Sequence, residues 1–287
     1  MFEGMNKPDT GMPQWHSDLA IERRRANVEV EGIKYQKEES GAFVWERISV
    51  SSAEGARSIG RPCGRYDTLT LARMDTLDED AIDDAANEIA GELCRMIDGC
   101  GIFPDRLLVV GLGNASLTPD SVGPRAAELT HPTMHLKELD PRIFSSIECS
   151  EIAVLSPGVT ARTGMDTSDI TVGVVDRISP DAVIAIDALA SGAPERLGTT
   201  IQISDTGIFP GSGTGNKRSP LNERTLGVPV IAIGVPTLID ARIFSHGVGV
   251  NQSNDSSLLV APREIDEIAA VAARIIAGGI NQAFGTV

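Results

Sequence analysis

Three aspartates stand at the ends of short apolar runs or in the tails behind them: Asp120 in GLGNASLTPDSVGP, Asp187 at the end of DAVIAID, and Asp205 in ISDTGIFPGSGTGN. An aspartate so placed can cap a helix or close its own turn, since the residue favours both positions. Two such carboxylates brought together in a half-buried cleft can do more. Their repulsion keeps a proton on one while the other polarises a water, the arrangement that acid–base hydrolysis needs. Asp120 and Asp187 form the natural pair.

Other chemistries fit the sequence less well. The loop PGSGTGNKR holds Gly211, Gly213 and Gly215, a spacing that is not GxGxxG, and Asn216 precedes Lys217 where a phosphate loop needs Gly. A substrate-shaping or interface loop is expected there. His131 and His135 have helix-compatible spacing, but Pro132 lies between them and no carboxylate completes HExxH, so exposed loop histidines are expected. Ser156, Ser204 and Ser212 lack the GxSxG frame of an activated serine. Cys94 is expected on the apolar side of a helix as an inert thiol.

The elements that must position the aspartates can be read from periodicity. Residues 79 to 99 place Ile82, Ala86, Ile89, Leu93 and Ile97 three and four apart behind an acidic first turn, which predicts a helix. After it come RLLVVGLG, EIAVLS, DAVIAID, TIQIS and VPVIAIG, short runs suited to strands buried on both faces. Helical patterns fit near 121 to 130, near 167 to 178 and over EIDEIAAVAARIIAGGINQAF. The alternation predicts an α/β fold, a single three-layer domain with a twisted, mainly parallel sheet. NVEVEGIKYQKEE and AFVWERISVSS alternate like paired strands and predict a small N-terminal β addition. In such a sheet ligands bind beyond the carboxyl ends of the strands, where the aspartates are expected.

Bulk properties narrow the function classes. Forty acidic residues against 25 basic ones give a formal charge of −15, which argues against counterion-driven nucleic-acid binding. No run of eighteen apolar residues occurs and the N-terminal stretch has no apolar secretory core, so neither membrane spanning nor export is expected. Four scattered cysteines without a CxxC pair fit a reducing cytoplasm.

Taken in order, the strings LTPDSVGP, SPGVTARTGMDT, VIAIDALAS, TIQISDTGIFPGSGTGNKR, TLGVPVIAIGVPT and INQAF resemble the germination proteases of spore-forming bacteria. The resemblance runs from about Ser17 to the end and is close from 106 to 241. It implies a cytoplasmic endopeptidase of the forespore and spore core, which starts degrading small acid-soluble spore proteins at germination. It further implies a homotetramer, no cofactor, and a precursor with a removable segment, 1–18, ahead of a protease domain, 19–287.

The family's two proposed catalytic aspartates match Asp120 and Asp187. The family is similar in fold to the hydrogenase-maturation proteases, whose GxGN turn leads to an acidic metal-contacting residue, a layout that GLGNASLTPD shares. Family substrates are cut after Glu or Asp, before a hydrophobic residue and then Ala. Asp18-Leu19-Ala20 has that pattern, so the resemblance implies processing between Asp18 and Leu19. Asp205 and the glycines at 211 and 213 are expected to support substrate, and Arg162, Arg196 or Lys217 to receive the acidic side chain. Metal-assisted hydrolysis by the same carboxylates, without further metal ligands assigned, and a non-catalytic binder of cationic spore proteins are the alternatives. The sequence departs from the family pattern in the short segment after Ile243 and in His16-Ser17, where Arg-Thr is usual.

Overall fold

The computed structural model describes residues 17–24, 30–147, 149–209, 219–245 and 258–285. The first short helix, α1 (Ala20–Arg23), is followed by the hairpin β1 (Ile33–Ser40) and β2 (Phe43–Val50). Its turn passes through Gly41 at a φ of +59°, a conformation only glycine adopts without strain. Helix α2 (Ala53–Ile59) leads to β3 (Gly64–Thr70), which pairs antiparallel to β2, and then to the long helix α3 (Glu79–Gly99). Asp78 caps α3 by accepting the Ala81 N–H at 2.9 Å, and the five apolar residues predicted to line one face of it are all buried.

The parallel part of the sheet follows, as β4 (Arg106–Gly111), helices α4 (Val122–Leu129), α5 (Met134–Leu139) and α6 (Pro141–Ser146), and β5 (Glu151–Leu155). Two further helices, α7 (Thr160–Thr163) and α8 (Thr167–Ile178), lead to β6 (Ala182–Ser191) and β7 (Thr200–Ser204). The chain closes with α9 (Glu223–Leu226), β8 (Val230–Asp240), β9 (Leu259–Val260) and α10 (Ile265–Phe284). Helices α4, α8 and α10 lie where the apolar spacing predicts them. The short helix α5 carries His135, which is exposed as expected, while Cys94 is exposed rather than facing the core. On α3 the buried stripe runs through Leu93, and one further residue turns the chain about 100° away from it.

Among the described residues the strands form one sheet in the order β1-β2-β3-β7-β8-β6-β4-β5, with β9 on β8. Strands β8, β6, β4 and β5 are parallel, and the sheet is continued antiparallel through β7, β3, β2 and β1. The sheet is thus mixed, and the N-terminal β addition is its edge extension. Alternate side chains go to opposite layers, as the period of two requires. Ile184, Ile186, Ile231 and Ile233 join α3, α4 and α10 in one core, while Val183, Ala185 and Ala232 join α1, α8 and α9 in the other. This is a three-layer domain. No helix among the described residues is long and apolar enough to cross a membrane.

Candidate active site

Strand β4 has β5 on one side and β6 on the other. The chain leaves β4 through α4, which packs in the α3–α10 layer, and enters β6 from α8, which packs in the opposite layer. Connections that diverge to opposite faces open a crevice beyond the strand ends, where open α/β sheets bind ligands. Asp120 and Asp187 both flank this switch point.

Asp187 lies inside β6 rather than at its end, but β4 stops at Gly111, opposite Ile186. Asp187 is therefore the first residue of β6 with β4 no longer beside it. Its side chain shares the face of Val183 and Ala185, it is buried, and its Oδ1 accepts the Ala188 N–H at 2.9 Å. On the other flank its β8 partner is Gly234, against which the Leu189 side chain packs.

Asp120 closes the loop that leaves β4. It ends a 3-10 turn, Thr118–Asp120, and is half-buried. The residue that caps α4 is Ser121, with no side-chain cap bond, so the carboxylate is not used as an N-cap. Asp120 Oδ2 accepts the Asn114 N–H at 2.9 Å instead, and its carbonyl accepts the same N–H at 3.0 Å. Two glycines allow this closure. Gly113 takes a φ of +115° against the Asp120 carbonyl, and a Cβ at Gly123 would stand 2.5 Å from the Ile186 carbonyl oxygen. The backbone three residues after Asp120 thus touches the backbone one residue before Asp187. Thr237 of β8 donates to the Pro119 carbonyl at 2.7 Å and fixes the turn from the far side.

The other predicted site residues separate. Arg162 of α7 is exposed and reaches the Asp120 loop, donating to Ser116 Oγ at 3.1 Å. Asp205 does not join the pair. Because β7 runs antiparallel to β8, its carboxyl end points toward the amino ends of the parallel strands, and Ser204 lies opposite Ala232, two residues below Gly234. Asp205 there accepts the Arg65 N–H at 2.7 Å and pairs with Arg65 Nε at 3.2 Å. Arg196 is also committed elsewhere, to Glu46 at 3.1 Å and Thr70 Oγ1 at 3.1 Å. Gly211, Gly213 and Lys217 lie outside the described residues. Among the described residues no group of three or more His, Cys, Asp or Glu side chains could hold a metal ion.

Asp18 and Leu19 lie on the face of the sheet that carries Asp187, in a setting that sequence reasoning missed. The Asp18 N–H donates to the Ala190 carbonyl at 2.8 Å and the Ala190 N–H to Asp18 Oδ2 at 2.9 Å. Arg61 Nη2 stands 3.6 Å from Asp18 Oδ1 and donates to the Ser17 carbonyl at 2.9 Å. Gln202 of β7 spans the next peptide units: its Oε1 accepts the Ala20 N–H at 2.8 Å and its Nε2 donates to the Asp18 carbonyl at 3.4 Å. Gln202 was visible as the one polar residue inside TIQIS. Nothing local marks Arg61.

A second pair of carboxyls lies in the antiparallel half. Asp67 of β3 and Glu92 of α3 are both buried and hydrogen-bonded to each other, with Arg47 Nη2 at 3.0 Å and Arg95 Nη2 at 2.7 Å from Glu92 Oε2. Burial, then the bond to Glu92 and its charge, push the Asp67 carboxyl up to about 8.

Fold and site define an α/β domain with two aspartates flanking the switch point of its sheet. Residues 15–249 match the sequence profile of the family described as Germination protease. The chain is 35% identical over 312 aligned positions to a germination protease of Clostridium perfringens, covering 92% of this chain and 93% of that one. It is 42% identical over 234 positions to one of Caldanaerobacter subterraneus, covering 80% and 71%. With one of Bacillus subtilis it shares 41% over 248 positions, covering 83% and 67%. A NiFe hydrogenase maturation protease from Thermococcus kodakarensis superposes with a TM-score of 0.36 at 22% identity, over 62% of this chain and 94% of that one. The chain belongs to the germination protease family, a family of peptidases.

Proposed function

We propose that the chain is the endopeptidase that begins the degradation of small acid-soluble spore proteins during germination, cutting after Glu or Asp and before a hydrophobic residue and Ala. The observation that carries the catalytic part is the position of Asp120 and Asp187 on the two flanks of one switch point, with neither carboxylate used as a helix cap.

In this reading the two aspartates act on one water. One takes a proton from the water as its oxygen bonds to the peptide carbonyl carbon. The other, protonated, gives its proton to the amide nitrogen as the C–N bond breaks. Arg162, on the rim beside the Asp120 loop, meets substrate outside the crevice. The precursor matures by a cut between Asp18 and Leu19, residues 1–18 leave, and the mature chains assemble as homotetramers in the cytoplasm of the forespore and spore core.

Mass spectrometry of the protein incubated with a peptide carrying Thr-Glu-Phe-Ala, with and without chelator, tests the activity. Cutting between Glu and Phe, unchanged by chelator, with loss of residues 1–18 from the protein, is the expected result. Binding of the peptide or of a spore protein without any product contradicts it.

A further inference from the structure

The segment around Asp18 is held in a way that matches the chemistry of an acidic residue in an extended peptide. Its carboxylate accepts the Ala190 N–H and faces the Arg61 guanidinium, and its side chain is 11% exposed. Its own N–H pairs with the Ala190 carbonyl as a β-strand would, and Leu19 and Ala20 after it are fully buried. Gln202 touches two backbone groups at once, the carbonyl of the Asp18–Leu19 peptide bond and the N–H of Ala20, and so fixes the register of the chain across that bond.

Room remains beside this carboxylate. A cavity of about 40 Å³ is lined by Asp18, Arg61, Tyr66, Leu189, Gln202 and Gly234 among others. Arg61 is among the lining residues, and its buried Nε has no hydrogen-bond partner among the described residues. A buried donor without an acceptor is costly and invites one. A glutamate, longer than Asp18 by one methylene, has both the space and an unused donor to meet. Gln202 and Asp187 are both register partners of Gly234, on opposite sides of it, so the pocket opens on the sheet face that carries Asp187.

We propose that Arg61 and the Ala190 N–H form the subsite that selects an acidic residue before the cut, that Gln202 is the positioning residue for the carbonyl to be attacked, and that Asp18 fills this subsite in the uncut chain. The proposal rests on the peptidase reading. It makes the N-terminal segment its own first substrate, and its departure clears the subsite for an acidic residue of another protein.

Two measurements on the full chain test it. In the first, kcat/KM is compared for peptides carrying Thr-Glu-Phe-Ala and Thr-Gln-Phe-Ala. The wild type is expected to prefer Glu by about 10- to 100-fold, the range for a hydrogen bond to a charged group. Arg61→Gln brings the ratio near one, mainly through KM, and Arg61→Lys restores part of it. An Arg61→Gln protein that keeps the preference for Glu overturns the proposal.

In the second, hydrogen exchange is followed at the Ala20 amide, which needs no catalysis. Protection is expected to survive Asp18→Glu and to fall about tenfold or more in Asp18→Asn and Arg61→Gln, on the same basis. Equal protection in Asp18→Glu and Asp18→Asn overturns the acidic selectivity. A protein that has lost residues 1–18 and still cuts neither peptide removes the peptidase reading, and the exchange result on the uncut chain decides the pocket by itself.

Discussion

The two halves of the sheet each hold a pair of acidic side chains, and they hold them differently. In the antiparallel half Asp67 and Glu92 are hydrogen-bonded to each other, packed between β3 and α3, and closed over by Arg47 and Arg95. In the parallel half Asp120 and Asp187 accept bonds from neighbouring backbone N–H groups, just beyond the point where β4 stops pairing with β6. Proximity of carboxyls therefore does not mark a reactive site here. A carboxyl pair neutralised by two guanidiniums is a strut, whereas carboxyls at a strand-end crevice can meet a substrate.

The largest expected effect separates the pairs by activity. Asp187→Asn should lower peptide cleavage by about 10²- to 10⁴-fold, the usual contribution of a general acid or base, with an unchanged denaturation midpoint. Asp67→Asn should leave cleavage unchanged. Stability reverses the contrast. Glu92→Ala removes the carboxylate that Arg47 and Arg95 share, while Arg47 keeps Glu38 and Asp67, and costs about 1–3 kcal/mol, read as a lower urea midpoint with cleavage per folded molecule retained.

Acidity gives a further test. Asp67 titrates near 3.8 in the unfolded chain and is pushed up to about 8 in the folded one. Between these values the folded state holds a proton that the unfolded state has lost. The contribution of Asp67 to stability is then full below about 4 and is lost as pH rises through about 8. Denaturation measured across that window should show the decline, and Asp67→Asn should flatten it. The smallest effect concerns Asp205, whose bonds to Arg65 are partly exposed: Asp205→Asn should cost about 1 kcal/mol and leave cleavage as it was.

The parallel half was the more legible part of the sequence. Its strands are covered on both faces, so they appear as unbroken apolar runs, and the residues behind them mark the carboxyl ends. Asp120 and Asp187 follow from that alone. Asp205 follows the same kind of run and still lies away from the crevice, because an apolar run carries no sign of strand direction, and β7 pairs antiparallel with β8. GRYDTLT, the third strand of the extension, holds Asp67 amid polar neighbours and gives no apolar signature. Arg61 and Gln202 act on residues more than forty and 180 positions away in sequence, and only the folded chain brings them to Asp18.

In the proposed mechanism the carboxyls at the switch point, and not the buried pair, carry out hydrolysis. Its most direct test is mass spectrometry of wild type, Asp120→Asn, Asp187→Asn and Asp67→Asn proteins after incubation with the Thr-Glu-Phe-Ala peptide. Cleavage after Glu by the wild type and Asp67→Asn is expected, with cleavage about 10²-fold or more lower in the two switch-point variants. Undiminished cleavage by Asp120→Asn or Asp187→Asn would contradict it.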